Sequence, residues 1–545
     1  MKNKWWRKFN LFMGNIFWER ALTRSEIFIE RFVSPIDTVR ERALTIEIET
    51  NKSALCDLYT DSHDICDSMK TYSDNVKTTL FKKRLFRNGG SSMETNAIKI
   101  CKRLQDAGYE AYFVGGCIRD KELGRPIKDI DITTNATPEE VQKLFPKHIN
   151  TGLQHGTVSV KIGNSEYYEV TTYRIDGKYS DGRHPENVKF VTNIKDDLSR
   201  RDFTINAIAY DPLKDKIMDP FHGINDLKIK IINAVGSPKD RFMEDPLRVL
   251  RAMRFAIKLG FTIDVDTKIA MHDNEVKAKL KECISKERIT EELRQMLTCG
   301  NDICDVFMEF SDVITTIIPE MEVVIDAKHN NPWHRHDIYE HMLCVTDLCK
   351  TDKFVIKLAA LLHDIGKPIC RTHDEEKNCD HFVGHPKESH RICVDIINND
   401  LRLSKAESKE VLLLIENHDM EIKPTTNSMR KFIVNYSEEF VRDWVILKEA
   451  DLADHQAAPG REDRWAEING RFDNFKNNLE DVIKNLNALK ISDLEINGND
   501  VMKLLGINPG PKIGEILKSL FEEVVAGNIE NERNVLIKYL KENYE

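Results

Sequence analysis

Two aspartates one residue apart in a strand-like stretch constrain this chain more than any other feature. In GRPIKDIDITTNATPEE, Asp129 and Asp131 flank Ile130, and a second isoleucine follows at 132. Side chains of a strand alternate between its faces, so both carboxylates are predicted on one face and both isoleucines on the other. Carboxylates this close repel each other unless cations lie between them, which favours a site for two Mg²⁺ ions and a phosphate. A lone Asp-x-Asp pair is also typical of a solvated turn.

A glycine turn upstream strengthens the nucleotide interpretation. YFVGGCIRD is typical of a strand, a Gly115-Gly116 turn and a helix. Glycines let backbone N–H groups approach a phosphate, and a helix start favours an anion. Arg119, in the first helical turn, can reach the same phosphate. Glu169 in EYYEVTTYR is a third candidate acid, either beside the metals or as an ordinary exposed strand residue.

Length and composition set the broad class. A chain of 545 residues is too long for one core, so three or four domains are expected. The net charge of -10 neither favours nor excludes a local nucleic-acid groove. The 12 cysteines, with no Cys-x-x-Cys pair, indicate reduced thiols and a cytoplasmic location. No apolar run is long enough to span a bilayer, so no membrane partner is expected.

The hydrophobic pattern changes along the chain and predicts an α+β protein. Residues 1–92 are predicted as a poorly structured or loosely helical extension. Short strand-like runs dominate from 93 to 235, which predicts a small mixed or antiparallel sheet. The remainder, from 236 onward, is predicted to be elongated and all-α.

Five motifs occur in one order between residues 93 and 330. They are VGGCIRDKELGRPIKDIDITTNATPEE, TGLQHGTVSV, EVTTYRIDGKYSDGRHPENVKF, RRDFTINAIAYDP and EDPLRVLRAMRFA. Together they resemble the bacterial class II tRNA nucleotidyltransferases, which include CCA-adding enzymes and poly(A) polymerases. The resemblance implies a nucleotidyltransferase head over 93–235 and a helical neck over 236–330. It also implies template-independent addition of CCA to tRNA from CTP and ATP, with Mg²⁺ as cofactor.

The resemblance also implies residue roles. Asp129 and Asp131 match the catalytic carboxylates that bind metal. The residues that match nucleotide contacts are Gly116, Arg119, Arg201, Asp202, Asn206, Asp245, Arg248, Arg251 and Arg254. Asp245 and Arg248 match the pair that reads the base. An acid accepts from the exocyclic amine of C or A and an arginine donates to base acceptors, so such a pair can reject G and U.

Two features of this region leave alternatives open. Arg248, Arg251 and Arg254 are spaced by three, which is also typical of a solvated basic helix face. The polar segment RIDGKYSDGRHPENV is predicted to be a mobile loop. The resemblance implies that a loop at this position helps the pocket change from C to A, with Asp181 and Arg183 as candidates.

Histidines become frequent after His334 and indicate a second metal centre. The His363-Asp364 doublet follows an apolar helix, and imidazole with carboxylate suits divalent metals. The ordered set resembles the HD phosphohydrolases over 331–460. That resemblance implies a transition metal or Mg²⁺ held by His341, His363, Asp364 and a later acid. Asp451 fits that last place best, and Asp454 competes. Further candidates for a second metal or a phosphate are His385, His390 and His418.

The C-terminal part, 461–545, resembles the tail of bacterial CCA-adding enzymes and is predicted to bind tRNA. GINPGPKIGEIL offers a turn before a helix, with Lys512 close by, which suits an RNA phosphate or a plain helix cap. Alternative functions for the whole chain are a poly(A) polymerase, an enzyme that adds only A or only CC, or an HD phosphohydrolase with an RNA-binding head.

Overall fold

A computed structural model describes residues 86, 91–152, 155–163, 166–177, 188–300, 302–488 and 490–544. Residues Leu85–Glu545 form one compact unit. The predicted extension therefore lies outside the described residues, apart from its last part. Within that part Phe86 is fully buried, and its ring centroid is 5.1 Å from that of Phe113 and 5.3 Å from that of Tyr210.

The head combines a seven-stranded sheet with short helices. Its helices are α1 (Ser92–Asp106), α2 (Gly116–Glu122), α3 (Pro138–Leu144), α4 (Ile194–Ser199) and α5 (Gly223–Ile229). Its strands are β1 (Ala111–Val114), β2 (Asp131–Thr134), β3 (His148–Gly152), β4 (Thr157–Ile162), β5 (Glu166–Thr172), β6 (Arg174–Asp176), β7 (Val188–Phe190), β8 (Ala209–Asp211), β9 (Lys216–Met218) and β10 (Ile231–Ile232).

The strand order of the main sheet is β3-β4-β5-β2-β1-β8-β9. Strand β2 pairs in parallel with β5, and the other pairings of this sheet are antiparallel. The predicted mixed sheet is therefore confirmed. Ile132 lies opposite Phe113 of β1 and Val170 of β5, so apolar residues of three adjacent strands meet in the core.

The neck follows the head as a series of helices. They are α6 (Pro238–Glu244), α7 (Leu247–Leu259), α8 (Val265–Met271), α9 (Asn274–Cys283), α10 (Lys286–Thr298), α11 (Ile303–Glu309), α12 (Ser311–Ile317) and a 3₁₀ helix (Pro319–Val324). A short strand, β11 (Thr262–Ile263), pairs in parallel with β10 and ties the neck to the head. Both Arg248 and Arg254 of α7 are buried, so the alternative of a solvated basic face is wrong for this helix.

The next region is also helical. Its elements are α13 (Ile338–Leu348), α14 (Phe354–Leu362), β12 (Thr372–Asp374), β13 (Cys379–His381), α15 (His385–Asn399), α16 (Lys405–Asn417), α17 (Thr426–Tyr436) and α18 (Glu438–Asp454). All nine residues of α14 are buried, as its apolar sequence requires. One hydrophobic core runs from the head through the neck into this region.

The C-terminal helices are α19 (Glu462–Ala488), α20 (Gly498–Leu505), α21 (Pro511–Val525) and α22 (Arg533–Tyr544), with a 3₁₀ turn at Ile491–Asp493. Helix α19 packs into the main core through Phe475 and Leu479, whereas the last three helices enclose a small core of their own. The α+β prediction with a long helical remainder is confirmed. In the described part of the chain, no helix is both long and apolar enough to cross a bilayer.

Candidate active site and histidine–aspartate centre

The two aspartates that opened the sequence argument lie side by side on the surface of the head. Asp129 and Asp131 are exposed, while Ile130 and Ile132 are buried. Partial dehydration by surrounding protein and the charge of Asp129 raise the pKa of Asp131 to about 6, although Arg201 acts in the opposite direction. The geometry therefore leaves two acidic groups facing solvent on one side of β2.

Glu169 lies on the strand next to this pair. Because Ile132 of β2 is opposite Val170 of the parallel strand β5, Glu169 is in register with Asp131, and its charge also raises the pKa of Asp131. Its side chain is exposed. These three carboxylates are oxygen donors of the kind that a hard divalent cation such as Mg²⁺ prefers.

The glycine turn lies beside the same acids. Gly115 has φ +75°, which favours glycine, and it precedes α2, which begins at Gly116. A Cβ atom at Gly115 would lie 3.0 Å from Nη1 of Arg201, so the absent side chain leaves room for that guanidinium. Arg201 is also 3.6 Å from Asp197. The turn, one arginine and the exposed acids thus meet in one place.

A chain of hydrogen bonds joins several of the predicted nucleotide-binding residues. Arg119 Nη1 donates to Asn206 Oδ1 at 2.7 Å, and Asn206 Nδ2 donates to Asp202 Oδ1 at 3.0 Å. Arg251 Nε and Nη2 donate to Asp202 Oδ2 at 3.0 and 2.5 Å. Burial acts to raise the pKa of Asp202, but Arg251 and Asn206 outweigh it and hold that pKa below its ordinary value. These hydrogen bonds therefore fix the side chains of the predicted nucleotide site relative to one another.

The side chains of the predicted base-reading pair contact different partners in this structure. Asp245 Oδ1 accepts from the backbone N–H of Leu247 at 3.1 Å, and Oδ2 lies 3.5 Å from Arg288. Arg248 instead contacts Glu244 Oε2 at 3.0 Å and the carbonyl of Arg200 at 2.9 Å. The structure thus brings Arg248 against the RRDFTIN motif, and a role in base reading remains a prediction for both residues.

The other predicted residues of this region differ in their surroundings. Arg254 is buried, and its Nε donates to Glu292 Oε2 at 2.7 Å. Glu292, on α10, was not a sequence candidate, because a glutamate on an amphipathic helix carries no local signal of this pairing. Asp181 and Arg183 lie outside the described residues.

A second centre lies among the helices α13, α14, α15, α16 and α18. Asp364 is buried, and four imidazoles approach its carboxylate. The distances are 3.4 Å to His341 Nε2, 3.2 Å to His363 Nε2, 3.2 Å to His385 Nε2 and 3.5 Å to His418 Nε2. His341 Nε2 is also 3.3 Å from Asp451. The sequence-predicted set His341, His363, Asp364 and Asp451 is brought together in this way, and His385 and His418 join it.

Backbone contacts fix how three of these imidazoles point. The Nδ1 atoms of His363, His385 and His418 lie 2.7–2.8 Å from the carbonyl oxygen three residues earlier in each case. Because a carbonyl only accepts, each Nδ1 carries the proton and each Nε2 presents a lone pair to the centre. Such backbone partners are typical of histidines that bind metal.

The cluster contains buried polar atoms that lack a hydrogen-bond partner. His341 Nε2 and His363 Nε2 are buried without a hydrogen-bond partner and face carboxylate oxygens. Burial acts to lower the pKa of His341, yet Asp451 and Asp454 raise it to about 9. The donor set of nitrogens and carboxylates therefore fits a divalent metal ion.

The two competing late acids occupy different places. Asp451 faces Nε2 of His341, while Asp454 Oδ2 lies 2.7 Å from Nδ1 on the other edge of the ring. Asp454 therefore orients the imidazole, and Asp451 is in the position of a ligand. His390 is absent from the potential metal-binding groups found among the described residues.

Several residues of this centre were missed by sequence reasoning. Lys367 Nζ is 2.6 Å from Asp364 Oδ2 and 3.1 Å from His329 Nε2. His334 and His455 form another potential metal-binding group with His341. The spacing of Lys367, one residue after Gly366 in HDIGK, is a local signal that points to it, whereas His455 is placed only by the fold.

Three family models match the chain. They are the Poly A polymerase head domain at residues 111–233, the HD domain at 337–454 and a tRNA nucleotidyltransferase domain 2 at 465–540. The chain is also 34% identical to the CCA-adding enzyme of Ligilactobacillus salivarius over 447 residues, which cover 82% of this chain and 95% of that protein. The chain belongs to the CCA-adding enzyme family.

Solved structures of CCA-adding enzymes share this architecture. The Bacillus stearothermophilus CCA-adding enzyme, solved in complex with CTP, is 29% identical with a TM-score of 0.56, covering 83% of this chain and 98% of that one. The Thermotoga maritima CCA-adding enzyme, solved with tRNA_CCA, shares the fold at 19% identity and a TM-score of 0.52, covering 84% and 97%. The predicted family and the presence of an HD domain are confirmed.

Proposed function

We propose that this chain adds C, C and A to the 3′ end of tRNA, using CTP and ATP and releasing pyrophosphate. The observation that carries the proposal is the exposed Asp129–Asp131 pair beside the Gly115 turn, in a chain that belongs to the CCA-adding enzyme family. The relatives described above as complexes with CTP and with tRNA support both substrates. We also propose that the chain acts in the cytoplasm, because tRNA matures there and is the substrate.

The chain's own residues act by positioning and charge. The tRNA 3′ oxygen forms a bond to the α-phosphorus, the bond to pyrophosphate breaks, and the hydroxyl proton leaves to solvent. Asp129 and Asp131 would hold Mg²⁺, which when bound neutralises charge on the reacting phosphates. We infer that the backbone at Gly116 and the guanidinium of Arg201 contact the triphosphate, and that Asp245 and Arg248 contact the base.

Sequencing the products separates this proposal from its closest rivals. Offered tRNA without its 3′ end together with CTP, ATP or both, the chain should add CC from CTP alone and CCA from the mixture. A long A tail on unrelated RNA would identify a poly(A) polymerase. Products that stop at CC in the mixture, or that require a preformed CC end, would identify a partial enzyme.

We propose a second activity, metal-dependent phosphate ester hydrolysis, at the HD domain. The Nε2 atoms of His341 and His363 support it, because they are buried without a hydrogen-bond partner. They offer nitrogen ligands to a metal ion that Asp364 and Asp451 would also bind. Mn²⁺, Co²⁺ and Mg²⁺ are the ions to compare. Asp364→Ala should abolish phosphate release while tRNA extension continues; a wild-type chain that releases no phosphate with any of the three ions would contradict the proposal.

A further inference from the structure

A cluster of sulfur, nitrogen and oxygen donors lies where the neck meets the HD domain. His336, Cys344 and Asp454 offer one ligand atom each, and these three atoms lie within 4.8 Å of one another. Sγ of Cys304 is 3.6 Å from Sγ of Cys344. Neither of the two proposed activities uses these sulfur atoms.

Distant parts of the chain bring these groups together. Cys304 lies on α11 of the neck, Cys344 lies on α13, and Asp454 is the last residue of α18. His336 belongs to the segment just before α13. The backbone N–H of Cys304 donates to Asp347 of α13 at 2.9 Å, so a hydrogen bond holds the two cysteine-bearing helices against each other.

The ring of His336 is oriented in the way that metal-binding histidines are. Its Nδ1 is 3.3 Å from Oε1 of Glu340, and its Nε2 is 3.4 Å from Oδ1 of Asp454. If Nδ1 carries the proton toward Glu340, Nε2 presents a lone pair to a carboxylate that also only accepts, and a cation between them relieves this conflict. A doubly protonated ring would satisfy both carboxylates as well, so the sulfur atoms decide between the two.

The spacing of the two thiols suits a shared zinc ion. With zinc–sulfur bonds of about 2.3 Å, two thiolates on one tetrahedral ion lie about 3.8 Å apart. The observed separation of 3.6 Å is close to that value. Thiolate and imidazole ligands favour zinc, whereas Mg²⁺ and Ca²⁺ take oxygen ligands. Two sulfurs, one imidazole and one carboxylate also make up the four positions of a closed zinc site.

Asp454 connects this cluster to the HD centre. Its carboxylate is buried, with Oδ1 toward His336 and Oδ2 at 2.7 Å from Nδ1 of His341. A cation held at Oδ1 would fix this carboxylate, and through it the ring of His341.

We propose that Cys304, His336, Cys344 and Asp454 bind a structural Zn²⁺ ion that ties the neck to the HD domain. On binding, each thiol loses its proton to solvent and forms a sulfur–zinc bond, so no oxidant or reductant takes part. Because the ligands come from separate helices that meet only in the folded chain, bound zinc stabilises the fold.

Titration of the full chain with Co²⁺, under a phosphine reductant, tests the sulfur ligands. Co²⁺ occupies zinc sites and gives a thiolate charge-transfer absorption, to which metal at the head or the HD centre does not contribute. The parent should show this band and lose it when Zn²⁺ is added. Cys304→Ser and Cys344→Ser should each reduce it by at least about half, and the double variant should lack it. Cys283→Ser, a change at another half-buried thiol, is the matched control and should keep the whole band.

Glu340→Gln tests the orientation of His336. It should weaken Co²⁺ binding about tenfold while the sulfur band at saturation stays the same, because Glu340 positions the ring without binding the metal. A chelator should lower the melting temperature of the zinc-loaded parent more than that of the double cysteine variant.

Three outcomes would overturn the proposal. The first is a parent chain that shows no sulfur band with Co²⁺. The second is a band that persists in the double cysteine variant. The third is an equal effect of the chelator on the melting temperatures of the parent and the double variant, which would assign the stabilising metal to the HD centre alone.

Discussion

Arg251 of the neck donates two hydrogen bonds to one carboxylate oxygen of Asp202 in the head. The other oxygen of Asp202 accepts from Asn206, which in turn accepts from Arg119 in the helix after the glycine turn. The helix that is predicted to read the base is therefore connected to the loop that is predicted to hold phosphates. This chain of hydrogen bonds links the neck directly to the predicted nucleotide site.

Arg251→Ala should reduce CTP incorporation and lower the free energy of unfolding by about 2 kcal/mol, because it leaves a buried carboxylate short of its partner. Arg251 helps to keep the pKa of Asp202 below its ordinary value, so its stabilising effect is present at neutral pH and is lost as pH falls below the ordinary carboxyl range. Denaturant melts at pH 7 and pH 2 measure this.

A surface pair provides the control for that experiment. Lys102 and Asp106 form an exposed ion pair at 2.9 Å, and Lys102→Ala should cost at most about 0.5 kcal/mol. Equal stability losses in Arg251→Ala and Lys102→Ala would contradict a stabilising role for the hydrogen bonds between Arg251 and Asp202.

Asp131→Asn should lower nucleotide incorporation at least about a hundredfold, since it removes one of the charges placed for the metal. Because Asp131 is exposed, the melting temperature should change little. Incorporation of labelled CTP into tRNA and thermal melts are the measurements, with the exposed Glu139→Gln as control. Retained activity in Asp131→Asn would remove the metal proposal for the head.

Gly366→Ala should disrupt the HD centre through the backbone. An added Cβ would lie 2.5 Å from the N atom of Ser389 and 2.9 Å from the carbonyl oxygen of His385, so α15 must move and carry His385 away from Asp364. The expected loss is about 1–3 kcal/mol together with weaker metal binding. Gly470→Ala is the matched control, since no atom lies near its added Cβ. Unchanged stability and unchanged metal binding in Gly366→Ala would refute this packing.

His363→Ala should remove bound metal from the HD centre. Its Nε2 is buried, unpartnered and 3.2 Å from Asp364. Equilibrium dialysis with Mn²⁺, in an Asp131→Asn background that suppresses the head site, should show less metal per chain than the parent. His390→Ala should bind as the parent does; identical binding by both histidine variants would contradict the assignment.

Asp347 should make stability depend on pH. Its carboxylate accepts from the backbone N–H groups of Ile303 and Cys304 at 3.1 and 2.9 Å, and burial raises its pKa from 3.8 to about 6. A raised acid pKa favours the protonated native state, so stability should fall as pH rises from about 4 to about 6. Asp347→Asn keeps an acceptor and should flatten that slope in denaturant melts; an unchanged slope would exclude Asp347 as its source.

Much of the architecture follows from local sequence patterns. Alternation in DIDITT places Ile130 and Ile132 inside and the two aspartates outside, and the structure agrees. The apolar run of α14 predicts a buried helix that ends at the His363-Asp364 doublet. These features could be predicted because periodicity and short motifs act over a few residues.

The amino-acid sequence by itself determined the α+β class, and it predicted the order of the domains and part of the residues of both centres. Tertiary structure alone decided which of those residues meet. Asp202 is 49 residues from Arg251 and His341 is 113 from Asp454, and both pairs are in hydrogen-bond contact. Burial explains why the fold is needed: a carboxylate removed from water requires a partner, and chain separation places no limit on which partner packing brings to it.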